Sequence, residues 1–385
     1  MHEIDFIAAE QYGWIFNSVI FILCFGTFLK YFAIARQSVL YNRPTFPVFT
    51  IGLSVLLILF MGLRPYSYVF VDTGYYIHSY EHSYQSFAPI NLENEWLWAF
   101  LAYSFRYIGL NANEYLLAIE TSYIGLMLYC CKKLFPNNLW VAMLFCFSSF
   151  SFFTFGVNGI RNGMACSLIL VGFAIISTKK NNTQKNFGIL LLLLATGIHR
   201  STMLPSMCFI IAHYIWRVPA FAIQIWFICI IISLIFGNSF AELFADIGVD
   251  DRMQSYLNAQ YDAETIKENS SVGTFRFDFL LYSAMPILFF WYVTIKRNFK
   301  NKIYNLFAIT YILANSFWVI VIRASQSNRF AYLSWFLYPI IIAYPLIRLK
   351  IWKDQDRKTA IILLLYAGFT FTMFLLALIP QHYKY

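Results

Sequence analysis

Apolar runs about as long as a bilayer is thick follow one another along almost the whole sequence, parted by short polar stretches. A helix crosses the hydrocarbon layer with about 20 mostly apolar residues. By that length the runs predict spans at 12–34, 46–63, 114–131, 139–156, 160–178, 187–199, 202–216, 220–240, 278–295, 303–322, 330–348 and 359–379. The pattern therefore predicts an all-α polytopic membrane protein with about twelve transmembrane helices. A single integral membrane domain over 1–385 is expected, with 64–113 and 241–277 as outer loops. Within the first loop, the stretch EWLWAFLAYSFRYIGL (95–110) is aromatic, short and interrupted by Arg106, which predicts an interfacial or re-entrant helix. The acidic start MHEIDFIAAE lacks the basic lead of a secretory signal, so no cleaved leader is expected.

Composition agrees with this class. The chain is 60% hydrophobic and 12% charged, against roughly 25% charged in soluble domains. Charge then sets the orientation, because short loops on the cytoplasmic side collect Lys and Arg. With the N-terminus outside, 18 of the 28 basic residues fall in inner loops, and of the 19 acidic residues only Asp354 and Asp356 do. Counting 95–110 as a full crossing would reverse every later loop and destroy this asymmetry. The net charge of +9 thus reports topology, and no nucleic-acid partner is expected.

The outer basic residues differ in kind. Twelve of the 18 inner ones are Lys, whereas eight of the ten outer ones are Arg: Arg64, Arg106, Arg161, Arg200, Arg252, Arg276, Arg323 and Arg329. Either residue can anchor a helix end by snorkelling. Only Arg offers a planar fork that matches phosphate or carboxylate oxygens. Two readings stand: lipid anchors, or an outward cavity lined with Arg for a phosphate or pyrophosphate at the membrane surface. Arg161 opens a span, Arg323 and Arg329 bracket a turn, and His199 with Arg200 sits where the run GILLLLLATGIHRSTMLP is interrupted.

The stretch FMGLRPYSYVFVDTGYYIHSYEHSYQSF (60–87) sets Asp72 among tyrosines. Tyrosines suit a membrane interface, but Tyr75 and Tyr76 also suit sugar rings, which take stacking and a hydrogen bond together. Asp72 or His199 could accept or orient a sugar hydroxyl proton. His78 and His82 lie four apart near Glu81 but lack a third imidazole at a fixed offset, so no metal site is expected. All seven cysteines fall within spans, which gives no disulfide framework outside.

Four of these stretches, GLRPYSYVFVDTGYY, FGVNGIRNGMACSLILVGFAI, LLLLLATGIHRSTMLP and SQSNRFAYLSWFLYPI, come in an order that resembles EpsG-type and Wzy-type bacterial polysaccharide (O-antigen) polymerases. The likeness covers roughly residues 50 to 345; the lead into Asp72, Phe70-Val71, departs from the small-Gly-Thr pattern of that family. The resemblance implies a GT-C-like membrane glycosyltransferase in the bacterial inner membrane, active at its periplasmic face. Its substrates would be undecaprenyl-pyrophosphate-linked repeat units in membrane lipid, and a chain-length regulator protein would be a partner. In that chemistry Arg161 and Arg329 would meet the donor pyrophosphate. Arg64, Arg200, Arg276 and Arg323 would line the substrate site with Tyr75 and Tyr76, and Asp72 or His199 would serve as base. Fixed guanidinium groups can stabilise a leaving pyrophosphate without metal or cofactor. Two alternatives stand beside it. An O-antigen ligase would use the same donor. A flippase or transporter would be expected to show two similar halves, whereas the sequence shows no internal repeat and its arginines sit at outer span ends.

Overall fold

The computed structural model describes residues 7–33, 47–84, 95–236, 275–324 and 327–382; most of the predicted outer loop 241–277, Arg252 included, lies outside them. The described residues are helical, with no strand. In chain order the first helices are α1 (Gln11–Ala33), α2 (Pro47–Gly62), α3 (Thr73–His82), α4 (Trp96–Tyr107), α5 (Ala112–Leu134), α6 (Leu139–Phe147), α7 (Phe152–Val157) and α8 (Ile160–Ser177). They continue with α9 (Asn182–Ile198), α10 (Met203–Ile215), α11 (Pro219–Phe236), α12 (Phe277–Trp291), α13 (Lys302–Ile320), α14 (Ser327–Trp335), α15 (Tyr338–Arg348) and α16 (Gln355–His382). Every predicted span overlaps a helix. Among the described residues, seven helical stretches are long and apolar enough to cross a membrane: 11–32, 160–177, 219–236, 277–296, 302–320, 327–348 and 355–378.

The smaller number has local causes. At 16, 17 and 13 residues, α2, α9 and α10 are shorter than any of these seven stretches. The predicted span 139–156 is broken into α6 and α7. At the break Ser148 Oγ donates to the Leu144 carbonyl at 2.6 Å, and the Ser148 carbonyl accepts from Thr370 Oγ1 at 2.8 Å. Serine hydroxyls compete with the helical ladder in this way, and a partner for the freed carbonyl makes the break tolerable inside the protein. With 12 residues, α4 is about 18 Å long, too short to cross.

Helix starts are written plainly in the sequence. Asn111 accepts from the Glu114 amide at 3.0 Å while Glu114 accepts from the Asn111 amide at 2.8 Å, a reciprocal cap on α5. Asn181 and Asn301 cap α9 and α13 through the amides of Gln184 and Tyr304.

The chain divides into two compact units, one of residues 1–203 with 342–385 and one of 204–341. In the first, α8 packs along α9 and α5, α2 along α5, and α1 along α16. The α8–α9 pair is close because glycines face each other. A Cβ on Gly172 would lie 2.8 Å from Leu192 Cδ2 and 3.1 Å from the Gly188 carbonyl, and one on Gly188 would lie 2.5 Å from Ile176 Cγ1. Small residues let membrane helices approach to backbone contact. As an antiparallel hairpin, α8 and α9 bring the start of one and the end of the other to the same side. In the second unit α11 packs on α13, and Asn315 joins them by accepting from Trp226 Nε1 at 2.8 Å and donating to Ser334 Oγ at 3.0 Å. Paired polar groups of this kind satisfy each other where water is absent.

Candidate active site

The α8–α9 hairpin sets Arg161, in the first turn of α8, beside His199, the residue that ends α9. His199 is extended (φ −148°, ψ 111°), and its carbonyl accepts from Thr202 Oγ1 at 2.6 Å, which turns the chain sharply towards α10. Glu95 joins the two. Its Oε1 lies 2.5 Å from His199 Nδ1, and its Oε2 accepts from Arg161 Nη1. Arg161 also donates from Nε to the Tyr76 hydroxyl at 3.1 Å and lies 5.0 Å from the centre of the Tyr76 ring. Side-chain exposures of 12% for Arg161, 17% for Glu95 and 24% for His199 leave the cluster sheltered but reachable.

A shared core fixes these positions. Tyr76 from α3, Trp98 from α4, Tyr115 from α5, Ile160 from α8 and Ile198 from α9 are buried together. Each of the two isoleucines stands next to a site residue. Burial pushes the Tyr76 phenol up from its ordinary value despite the nearby Arg161, so Tyr76 acts as a neutral hydroxyl. Gly197 admits α4: a Cβ there would lie 2.8 Å from Trp96 Nε1 and 3.0 Å from Leu97 Cβ. That close approach is what carries Glu95, the residue before α4, to His199.

Behind the site stands a second polar cluster, fully enclosed. Arg64 is 0% exposed; its Nη1 donates to Glu120 Oε1 at 3.2 Å and to the Met61 carbonyl at 2.5 Å. Its Nη2 donates to Thr73 Oγ1 at 3.0 Å, and Thr73 donates onward to the Val157 carbonyl at 2.6 Å. The Asp72 amide donates to Asn158 Oδ1 at 3.1 Å. The start of α3 is thereby tied to the turn before α8, three residues from Arg161. The structure places Arg64 inside the protein, holding α3, rather than on a wall that a substrate could reach.

The other expected site residues fall in both units. Asp72 precedes α3 and is half-buried; Tyr75 is 62% exposed, edge-on to Tyr76 with ring centres 6.1 Å apart. Arg200 is exposed in the turn after His199. Arg276, Arg323 and Arg329 belong to the second unit. There Arg276 pairs with Asp278 through both carboxylate oxygens and lies 3.7 Å from the Phe279 ring centre; Arg323 lies 5.6 Å from that of Phe275, and Arg329 is exposed in the first turn of α14. Glu95 and Glu120 are the residues that sequence reading missed. Glu120 had a signal, an ionisable group within a predicted span. Glu95 had only its place at the head of the aromatic stretch. His78 and His82 stack at 4.3 Å, and among the described residues no group of three or more His, Cys, Asp or Glu could hold a metal ion.

Apolar helices of crossing length and a sheltered Arg–Glu–His cluster at the end of a helix hairpin define a multi-pass helical membrane protein. The sequence from 46 to 385 matches the EpsG family, and the chain belongs to that family. No curated protein matches it. No solved structure matches it either.

Proposed function

We propose that the protein is a polymerase of undecaprenyl-pyrophosphate-linked oligosaccharide repeat units, moving a growing glycan from its lipid carrier onto a new unit. The observation that carries this reading is the Glu95-linked pair of Arg161 and His199 beside an exposed tyrosine, in a chain of the EpsG family. In the step, an acceptor hydroxyl gives its proton to His199 while its oxygen bonds to the anomeric carbon of the donor glycan. The bond from that carbon to the pyrophosphate oxygen breaks, and lipid pyrophosphate leaves as an anion. A fixed guanidinium such as Arg161 stabilises that developing charge. Tyr75 offers a ring face and a hydroxyl to a sugar. The lengths of the apolar runs support about twelve spans, and the distribution of Lys and Arg supports this end of the hairpin facing the periplasm of a bacterial inner membrane. A GT-C-like arrangement is what the likeness to Wzy-type polymerases implies.

A strain lacking the gene tests the activity through its surface polysaccharide profile. Loss of polymer with a single repeat unit retained is expected. Loss of all surface glycan would instead mark a ligase, and a failure to export units would mark a transporter.

The hairpin geometry gives a subtler test. Gly197→Ala puts a methyl group against Trp96 and Leu97 and should part Glu95 from His199, lowering polymer yield. Gly125→Ala, with nothing within 4 Å of the new Cβ, should leave it unchanged. Equal yields from the two variants would show that the approach of α4 to α9 does not matter.

A further inference from the structure

We infer that Glu95 is a positioning residue for the catalytic base: its carboxylate decides which nitrogen of His199 carries the proton and fixes the ring against Arg161. The inference rests on the polymerase reading above. Glu95 precedes α4 in the N-cap position yet makes no side-chain hydrogen bond to that helix. An acidic residue there would ordinarily cap its own amides. Here the carboxylate turns instead to two other helices, one oxygen to His199 Nδ1 and the other to Arg161 Nη1.

A carboxylate oxygen only accepts, so the proton of the neutral ring sits on Nδ1 and the lone pair on Nε2. Nε2 is then the atom that takes the acceptor hydroxyl proton. As it does so the ring becomes an imidazolium, and the charge created lies against the carboxylate that already holds Nδ1–H. The same carboxylate keeps Arg161 from swinging away. With Nε on Tyr76 and Nη1 on Glu95, the guanidinium has Nη2 without a partner among the described residues, available to an anionic oxygen. One side chain thereby orients both the base and the cation. No local sequence spacing announces it, since its partners lie 66 and 104 positions away.

The test uses the full-length protein in proteoliposomes, supplied with the lipid-pyrophosphate-linked repeat unit extracted from a strain lacking the gene. Glu95→Gln should lower kcat by about 100-fold, the lower end of what a positioned base contributes, with KM little changed. Residues that act as one unit are not additive. Adding Glu95→Gln to His199→Gln should therefore slow the enzyme by much less than Glu95→Gln slows the wild type, since only the hold on Arg161 is left to lose. A double variant slowed by the product of the two single effects would overturn the inference, as would a Glu95→Gln change confined to KM. If Glu95→Gln does not accumulate, Glu95→Asp keeps the charge but shortens the reach. It should lower kcat in the same manner, and a wild-type rate would overturn the inference. Full activity of His199→Gln alone would instead remove the base assignment beneath it, a result visible without any Glu95 variant.

Discussion

His199→Gln should cut polymer formation by about 100-fold or more, while Asp72→Asn should retain most of it. Both residues are candidates on sequence grounds, and both substitutions keep a hydrogen-bonding side chain of similar reach while removing a base. Their surroundings differ. His199 shares the Glu95 carboxylate with Arg161. Asp72 donates from its backbone amide to Asn158, a bond that Asn would preserve. Polymer yield from strains producing each variant at equal protein level decides between them. Normal polymer from His199→Gln with none from Asp72→Asn would move the base to α3.

The second large effect concerns stability. Removing one partner of the buried Arg64–Glu120 pair leaves the other charge enclosed, at a cost of about 3–5 kcal/mol. Net stabilities of folded domains are only about 5–15 kcal/mol. Arg64→Met or Glu120→Leu alone should therefore sharply lower the yield of monodisperse protein in detergent and its Tm. The two together should restore much of both, because neither charge remains. They should not restore full activity, since the double variant still lacks the guanidinium that holds Thr73, and with it α3 and Tyr76. Single variants with wild-type Tm would show that water or lipid headgroups reach the pair.

Much of the fold is legible in the sequence because a membrane demands a simple signal, length without charge. The caps at Asn111, Asn181 and Asn301 follow from local residue types. The break at Ser148 is harder to see, since the run from 139 to 156 is apolar enough for one helix and the hydroxyl that steadies the break comes from Thr370, 222 positions away. The site is half legible for the same reason. Arg161 and His199 stand out as charged and polar residues at the ends of apolar runs. Glu95 sits in a polar connection where an acidic residue calls for no explanation, and only the packing of α4 on α9 gives it one. Arg64 is the converse case: a conspicuous arginine beside a recognisable motif is buried, and Glu120, which pairs with it, is 56 positions off.

The facing glycines of α8 and α9 also limit how this protein can change over generations. A side chain added at a tight contact is often accommodated when a neighbour mutates to something smaller. Here the obstacle to a Cβ on either glycine includes the backbone carbonyl of the other, 3.1 Å away in both directions. The partner is already the smallest residue, and a carbonyl cannot be mutated away. No substitution within the pair relieves that contact, so a Cβ at either position requires the two backbones to part by a few tenths of an ångström at the very place that sets Arg161 beside His199.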